Sequence, residues 1–224
     1  YEQSKFEKWL DDKFGDKIKD IAIYFSVVVA LAFSVVLFML LPHFLSSLVG
    51  RFTDNTLILN TLEGVIKLVI FMTYIILISR MKDIQRVFEY HGAEHKSIAC
   101  YESGAELTPA NAAKCSRLHP RCGTSFLLIV MIVSILIYAC LPWKNTSFGL
   151  RSVYRLLLLP VVAGVSYEIL KFAGRSKNKC VRILTMPGLL LQKFTTREPD
   201  ESQLEVAIAS LKAVLTGNKE DDKW

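Results

Sequence analysis

The reactive side chains of this protein are concentrated in one polar run, YHGAEHKSIACYESGAELTPANAAKCSRLHPRCGTSF, from Tyr90 to Phe126. Three of the chain's four histidines, His91, His95 and His119, fall inside it. His91 and His95 are four residues apart, so on a helix their imidazoles stand one turn apart on one face and can converge on a single ion, with Glu94 beside them. This is the HxxEH spacing of inverzincin-type metallohydrolases, in which two histidines hold zinc and the glutamate is the general base toward a water molecule at the metal. Glu102 lies seven residues past His95 and returns to the same face. His119 precedes Pro120, which disfavours helix and presents the ring from an extended residue. Cys122 follows and admits three roles: ligand, nucleophile, or small buried residue beneath Gly123. Cys115 reads as packing. HxxEH is short enough to arise by chance, and lone histidines more often sit at surfaces or caps, so the clustering is what carries weight. The fourth histidine, His43, ends an apolar run far from the others.

The elements that must position these groups are helical. The apolar run before Tyr90 is predicted to continue as one helix through Tyr101, carrying both histidines. Gly104 lets the chain stop, Thr108 can cap a second helix with Pro109 at its first position, and Asn111 to Leu118 continue it. Near the end of the chain, Asp200 and Gln203 have capping-box spacing, and Leu204, Ile208, Leu211 and Leu215 form one stripe. That helix is expected to pack on something, with the polar insert as the candidate. At the other end, Phe6, Trp9, Leu10, Phe14 and Ile18 recur at helical spacing. They predict an amphipathic helix over residues 1–20, lying along a membrane interface or packed under a partner.

A membrane is the solvent that the composition implies. Of 224 residues, 52% are hydrophobic and 21% charged, and the mean hydropathy is +0.34, too apolar for a soluble domain with charged loops of this size. A hydrocarbon core about 30 Å thick needs roughly 20 apolar residues of helix, and four runs qualify: Ile21 to Leu45, Leu57 to Ser79, Ser125 to Leu141 and Leu150 to Ala173. A fifth stretch, Val181 to Phe194, is interrupted by Pro187 and Gly188 and is expected to lie in the interface or re-enter. Basic residues set the orientation. The connection after the first run holds Arg51 alone and that after the third holds Lys144 alone, whereas the connection after the second holds Arg80, Lys82, Arg86, Lys96, Lys114, Arg117 and Arg121. The expected fold is therefore an all-α integral membrane protein of the bacterial inner membrane, with four transmembrane helices and both termini cytoplasmic. Its parts would be an interfacial helix (1–20), a first hairpin (21–79), a helical cytoplasmic insert (80–124), a second hairpin (125–173) and a cytoplasmic tail with an amphipathic helix (174–224). No cleaved signal is expected, since no short apolar core with a small-residue cleavage site follows the N-terminal lysines. The net charge of +6 then reflects topology, and no nucleic-acid-binding module is discernible. Five cysteines, of which Cys100, Cys115, Cys122 and Cys180 would face the reducing side, argue against a disulfide framework.

Charges inside the spans each cost on the order of 2.5–3.5 kcal/mol at a helix centre and call for a partner or a function. Glu63, Lys67 and Arg155 are expected to form an intramembrane ion network, or to line a polar pathway through the bundle. Glu168 falls at the level of His91 and His95, where it could supply a third ligand or pair with Lys171 or Arg175. Arg117, Arg121 and Arg197 could bind an anionic substrate or headgroup, or form a solvated basic rim.

The runs HGAEHKSIACYESG, SRLHPRCGTSFLLIV, VVAGVSYEI, PGLLLQKFTTREPD and QLEVAIASLK resemble the YqhQ-like family, bacterial membrane proteins whose domain has no assigned function. The resemblance covers most of the chain from the second apolar run onward. Members commonly carry the label of metal-dependent enzymes, which implies metal chemistry for His91, Glu94, His95 and His119. They usually also carry a glycine-rich segment of the kind GGQAVIEGVMMR, which is not among these 224 residues.

Two functional classes fit these residues. In the first, a membrane-embedded hydrolase uses a divalent metal, zinc or a similar ion, held by His91 and His95 with His119 or Glu168. Glu94 is its base, and its substrate is a peptide or lipid-linked group at the inner leaflet. In the second, an accessory scaffold docks other membrane proteins through an insert ordered by a structural metal on His91, His95, His119 and Cys122, or by no metal at all. An open coordination position marks the enzyme and a closed tetrahedron the scaffold. Ion-coupled transport is the weaker third class, because four spans with few intramembrane acids offer little for ion coupling.

Overall fold

The computed structural model describes residues 16–142, 146–175 and 179–216, and among them every regular element is helical. The chain divides into two compact units, residues 1–54 and 55–224. In the first, α1 (Asp16–Val35) passes through a π-helical turn (Val36–Leu40) into α2 (Leu41–Val49). Pro42 lies in the first turn of α2, and its ring would crowd the carbonyl four residues earlier in a regular helix; the wider π turn relieves that clash. Ile21–Val49 makes a 29-residue apolar helical run, long enough to cross a membrane and with its side chains exposed along most of its length. Of the predicted interfacial helix over 1–20, residues 1–15 lie outside the described residues.

The second unit begins with α3 (Thr56–Ile78), capped by Asn55, whose side-chain oxygen accepts from the amides of Leu57 and Ile58. It does not run on through Tyr101 as predicted. The helix ends at Ser79, turns through Arg80 and Met81, and restarts as α4 (Lys82–Glu102) with Met81 extended. The physical reason is visible at the turn: Ser79 closes on the Ile76 carbonyl, and its own carbonyl accepts from the Arg197 guanidinium. α4 stops at Ser103, with Gly104 at φ +77°, the left-handed conformation in which a helix is commonly closed. Thr108 caps α5 (Pro109–Ala113) as predicted, but α5 ends well before Leu118. The buried Lys96 ammonium takes the carbonyls of Ala113 and Cys115 at 2.8 and 3.0 Å, satisfying the end of the short helix.

An irregular stretch then leads to α6 (Gly123–Ala139), α7 (Phe148–Arg175), α8 (Lys179–Thr195) and α9 (Glu201–Val214). Among the described residues, three helical runs are long and apolar enough to cross a membrane: Ile21–Val49, Thr56–Ile78 and Phe148–Ala173. The third predicted span forms α6, which is apolar but only 17 residues long, about 25 Å at 1.5 Å per residue. It packs against α3, α7 and α8. α8 continues through Pro187 and Gly188 rather than breaking there. Gly188 lies against Ser125 at the α6–α8 contact, where an added Cβ would come within 2.7 Å of the serine oxygen, so the glycine permits close helix packing.

α9 carries the predicted capping box between Asp200 and Gln203 and lies on α4 and α5. Leu204 and Ile208 are buried with Ala93, Cys100 and Ala112 in one cluster. Full burial of each such aliphatic side chain is worth about 1.5–3 kcal/mol, enough to hold this helix against the face of α4 that carries Ala93 and Cys100, roughly opposite the histidines. The described cysteines, Cys100, Cys115, Cys122 and Cys140, are all free thiols.

Candidate metal centre

His91 and His95 meet edge to face one turn apart on α4, with ring centroids 4.4 Å apart. Each ring is fixed by its Nδ1, which meets a backbone carbonyl: Thr195 at 2.7 Å for His91 and Arg117 at 2.6 Å for His95. A carbonyl can only accept, so each Nδ1 carries a hydrogen and each Nε2 is directed to the other side of its ring. There Cys122 Sγ lies 3.3 Å from His91 Nε2, and one donor atom each from His91, His95 and Cys122 falls within 4.8 Å of the others. Histidines that ligate metals almost always donate their second N–H to a carbonyl or carboxylate, because this sets the tautomer and the ring orientation. The donor set, two imidazoles and a thiolate, suits zinc and other borderline-soft divalent ions.

Two peptide segments build this arrangement. After α8, residues 195–198 cross α4 as a clasp: the Arg197 amide donates to the Phe88 carbonyl at 2.8 Å, and the Arg197 carbonyl sits against Gly92, where any Cβ would collide with it. Gly92 thus lets the clasp come close enough for Thr195 to reach His91. The second segment, 117–122, is held by Arg117, whose guanidinium donates to the Thr196 carbonyl, and by fully buried Gln192, which bridges the amide and carbonyl of His119 at 2.8 and 2.7 Å and also donates to Ser125. Glu198 joins the segments through Lys96 at 3.0 Å and Arg117 at 3.3 Å.

Electrostatics favour a thiolate. Burial alone would push the Cys122 thiol up, but hydrogen bonds from His91, His95 and Thr124 outweigh it and bring the thiol down to about 5. Cys122 also caps α6, where the helix terminus favours negative charge. Reciprocally, the hydrogen bond to Cys122 raises the His91 imidazole above its usual range against the opposing effect of burial, with help from Thr195 and the nearby Glu94 charge.

The remaining predicted residues fall around this group rather than in it. His119 is buried with its ring 6.0 Å from that of His95; its Nε2 meets Glu102 at 3.2 Å and its Nδ1 accepts from the Arg121 amide at 3.4 Å. Both ring nitrogens are thereby engaged away from Cys122. Glu168 is exposed on α7, because Ser166 and Leu170, two residues to either side, take the buried face. Glu94 is exposed on α4 beside His95. The three arginines are engaged within the protein: Arg117 with Glu198 and Thr196, Arg121 with Glu102, and Arg197 with the Ser79 carbonyl. Glu63, Lys67 and Arg155 do meet, through a 2.8 Å pair between Lys67 and Glu63 and a second pair from Arg155 to the same carboxylate oxygen. Gly92, Gln192 and Thr195 lie outside the predicted site residues; the signals the sequence offers for them are a glycine directly after His91 and the run TTREP following an apolar helix.

The described residues define a helical class of chain, with three apolar helices of membrane-spanning length and a His-His-Cys group that could hold a metal ion. The particular family follows from comparison: the chain belongs to the family described as "Protein of unknown function (DUF1385)", whose model matches residues 2–217. It is 39% identical over 204 residues to the "Uncharacterized protein YqhQ" of Bacillus subtilis (strain 168), an alignment covering 89% of this chain and 64% of that protein. The resemblance noted in the sequence is thus a family relationship. No solved structure matches the chain.

Proposed function

We propose that this protein is a membrane-embedded, metal-dependent hydrolase whose divalent ion, zinc or a similar metal, is held by His91, His95 and Cys122. The observation that carries the proposal is the convergence of two Nε2 atoms and one sulfur while both Nδ1–H groups are tied to carbonyls. Three protein ligands leave one position of a tetrahedral ion for water or substrate, and an ion so placed lowers the pKa of water toward neutrality and polarises carbonyl or phosphoryl oxygens. The chain's own residues have separate tasks. Thr195 and Arg117 hold the imidazoles in one tautomer, and Glu94 is the carboxylate assigned to accept a proton. His119, steadied by Glu102, borders His95 as a second proton-carrying group.

The basic insert and the apolar runs support a four-pass arrangement in the bacterial inner membrane, with both termini and this site on the cytoplasmic side and α6 as a short third span. A peptide or lipid-linked substrate at the inner leaflet fits that location. A second reading, a structural metal that orders a docking platform for other membrane proteins, draws on the burial of the ligands: His95 is 3% and Cys122 6% exposed.

The test is elemental analysis of protein purified without chelator, beside Glu94→Gln and His91→Ala. The expected result is stoichiometric metal in the parent, retained by the glutamine variant and lost from the alanine variant. Parent protein without stoichiometric metal would refute both metal readings. X-ray absorption then separates them, since three protein ligands plus an exchangeable oxygen indicate the hydrolase and a fourth protein ligand the scaffold.

A further inference from the structure

Two of the described free thiols stand together on the side of α4 roughly opposite the histidines. Cys100, near the end of α4, is fully buried in the cluster it forms with Ala93, Ala112, Leu204 and Ile208. Cys115, just past the end of α5, packs against that cluster and is partly exposed. The chain between them is folded back by a series of hydrogen bonds. Cys100 Sγ donates to the Glu106 carbonyl at 3.5 Å, the Asn111 side-chain amide donates to the same carbonyl at 3.1 Å, and Cys115 Sγ donates to the Asn111 carbonyl at 3.6 Å. The two sulfur groups are thereby brought into hydrogen-bonding contact.

Their surroundings give the two thiols different parts. Burial raises the Cys100 thiol above its ordinary range, and the contact with Cys115 adds to the rise. Cys100 is thus kept protonated and sealed from solvent, while Cys115 holds the exposed edge. Redox-responsive thiols have this arrangement, an accessible sulfur set beside a second one that resolves it. Cys115 is also tied to the histidine side of α4. Its carbonyl accepts from buried Lys96 at 3.0 Å, and two residues on, the Arg117 carbonyl fixes His95 Nδ1 at 2.6 Å.

We propose that Cys100 and Cys115 are an oxidant-responsive pair that a hydroperoxide converts to a disulfide, fastening the segment before Arg117 to α4. The Cys115 sulfur attacks a peroxide oxygen: the S–O bond forms, the O–O bond breaks, and with hydrogen peroxide the departing oxygen leaves as water with the thiol proton. The Cys100 sulfur then attacks the resulting sulfenic acid at sulfur. The S–S bond forms, the S–O bond breaks, and the hydroxyl leaves as a second water with the Cys100 proton. The two thiols lose two electrons and the peroxide gains them. A reducing compartment keeps the resting pair as thiols, and a dithiol restores it after oxidation. The proposal needs no metal at His91 and His95, so it stands or falls apart from the hydrolase reading.

The test treats the full chain in detergent with hydrogen peroxide, blocks residual thiols with N-ethylmaleimide, and maps tryptic peptides by mass spectrometry without reduction. Cleavage after Lys96, Lys114 and Arg117 puts Cys100 and Cys115 on separate peptides, 97–114 and 115–117. Expected is a link between these two peptides, reversed by dithiothreitol and at least tenfold more abundant than any other link to either cysteine. Cys100→Ser should leave Cys115 as a sulfenic acid, captured by dimedone at least tenfold more than in the parent. Amide exchange at Ser116 and Arg117 should slow at least threefold on oxidation, and unchanged exchange refutes the fastening. Parent protein whose two peptides stay unlinked overturns the proposal, as does equal linkage of Cys115 to Cys122 or Cys140. Should Cys100→Ser fail to fold, Cys115→Ser decides. Cys100 is expected to remain a thiol in that variant at a peroxide dose that links the parent, and its oxidation at that dose is equally fatal.

Discussion

Gly92 supplies the sharpest test of how the histidines are held. In an ordinary helix interior, Gly92→Ala should stabilise by about 1 kcal/mol, because alanine loses less backbone entropy. Here the new methyl would overlap the Arg197 carbonyl, a backbone atom that no rotamer change can move. The clasp would have to lift, taking with it the Arg197–Phe88 hydrogen bond at 2.8 Å, the His91–Thr195 hydrogen bond at 2.7 Å and the Arg117–Thr196 contact. At about 0.5–1.5 kcal/mol net for each hydrogen bond, the loss outweighs the propensity gain, and a net destabilisation of about 2 kcal/mol is expected. For a chain of this size that corresponds to a drop of roughly 4–8 °C in thermal midpoint. Loss of the partner that orients His91 should also weaken metal binding by about 10–100-fold. The assays are thermal denaturation in detergent, amide exchange at Arg197 and metal competition against a chromophoric chelator. Gly164→Ala, at a helical glycine with nothing within 4 Å, is the control and should be neutral or stabilising. If Gly92→Ala matches this control in stability and in Arg197 exchange, the clasp does not orient the site.

Other consequences follow from the same contacts. In metal-free protein Cys122 has a folded pKa of about 5 against an ordinary value of 9, so its contribution to stability is complete above the unfolded pKa and is lost as pH falls through about 5. The raised His91 imidazole works in the opposite sense: its contribution is complete below the ordinary histidine range and is lost as pH rises through the folded value. The alkylation rate of Cys122, followed by peptide mass spectrometry, should therefore show a midpoint near 5 that moves up toward the ordinary thiol range in His91→Gln. An unmoved midpoint would contradict the pairing. Leu204→Ala and Ile208→Ala each remove a nearly buried side chain from the α4–α5–α9 cluster and should cost about 2–4 kcal/mol. Limited proteolysis would report the release of α9, and a tail as resistant as the parent's would rule out that anchoring role.

What could be read in the sequence was local. One-turn spacing put His91 and His95 on one face of α4, a threonine followed by proline began α5, and an aspartate three residues before a glutamine began α9. Each depends on residues within about a turn of one another, where backbone geometry leaves few choices. The failures were of another kind. Depth along an apolar run matches Glu168 to the histidines, but depth says nothing about rotational phase, and Ser166 and Leu170 claim the inner face of α7. A helix continuous through Tyr101 would have to cross Ser79, where a guanidinium 118 positions away donates to the carbonyl. Pro187 reads as a break, yet a helix tolerates a proline where packing just beyond it holds, as Gly188 and Gln192 do against Ser125.

The most consequential omission has the same origin. HxxEH spacing makes two imidazoles neighbours without deciding which nitrogen of each is available, and an imidazole free to choose its tautomer is a poor ligand half the time. That choice is made by carbonyls 104 and 22 positions away, at the end of α8 and in the irregular stretch before α6. Those carbonyls are backbone atoms, so no side-chain pattern announces them. What does leave a trace is the room they need: a glycine directly after the first histidine of the pair, in the middle of an otherwise regular helix. A helical HxxEH with a bulky residue at that position could present the same two rings, but a clasp of this geometry could not reach them, and the pattern would then lack the feature that directs both Nε2 atoms toward Cys122.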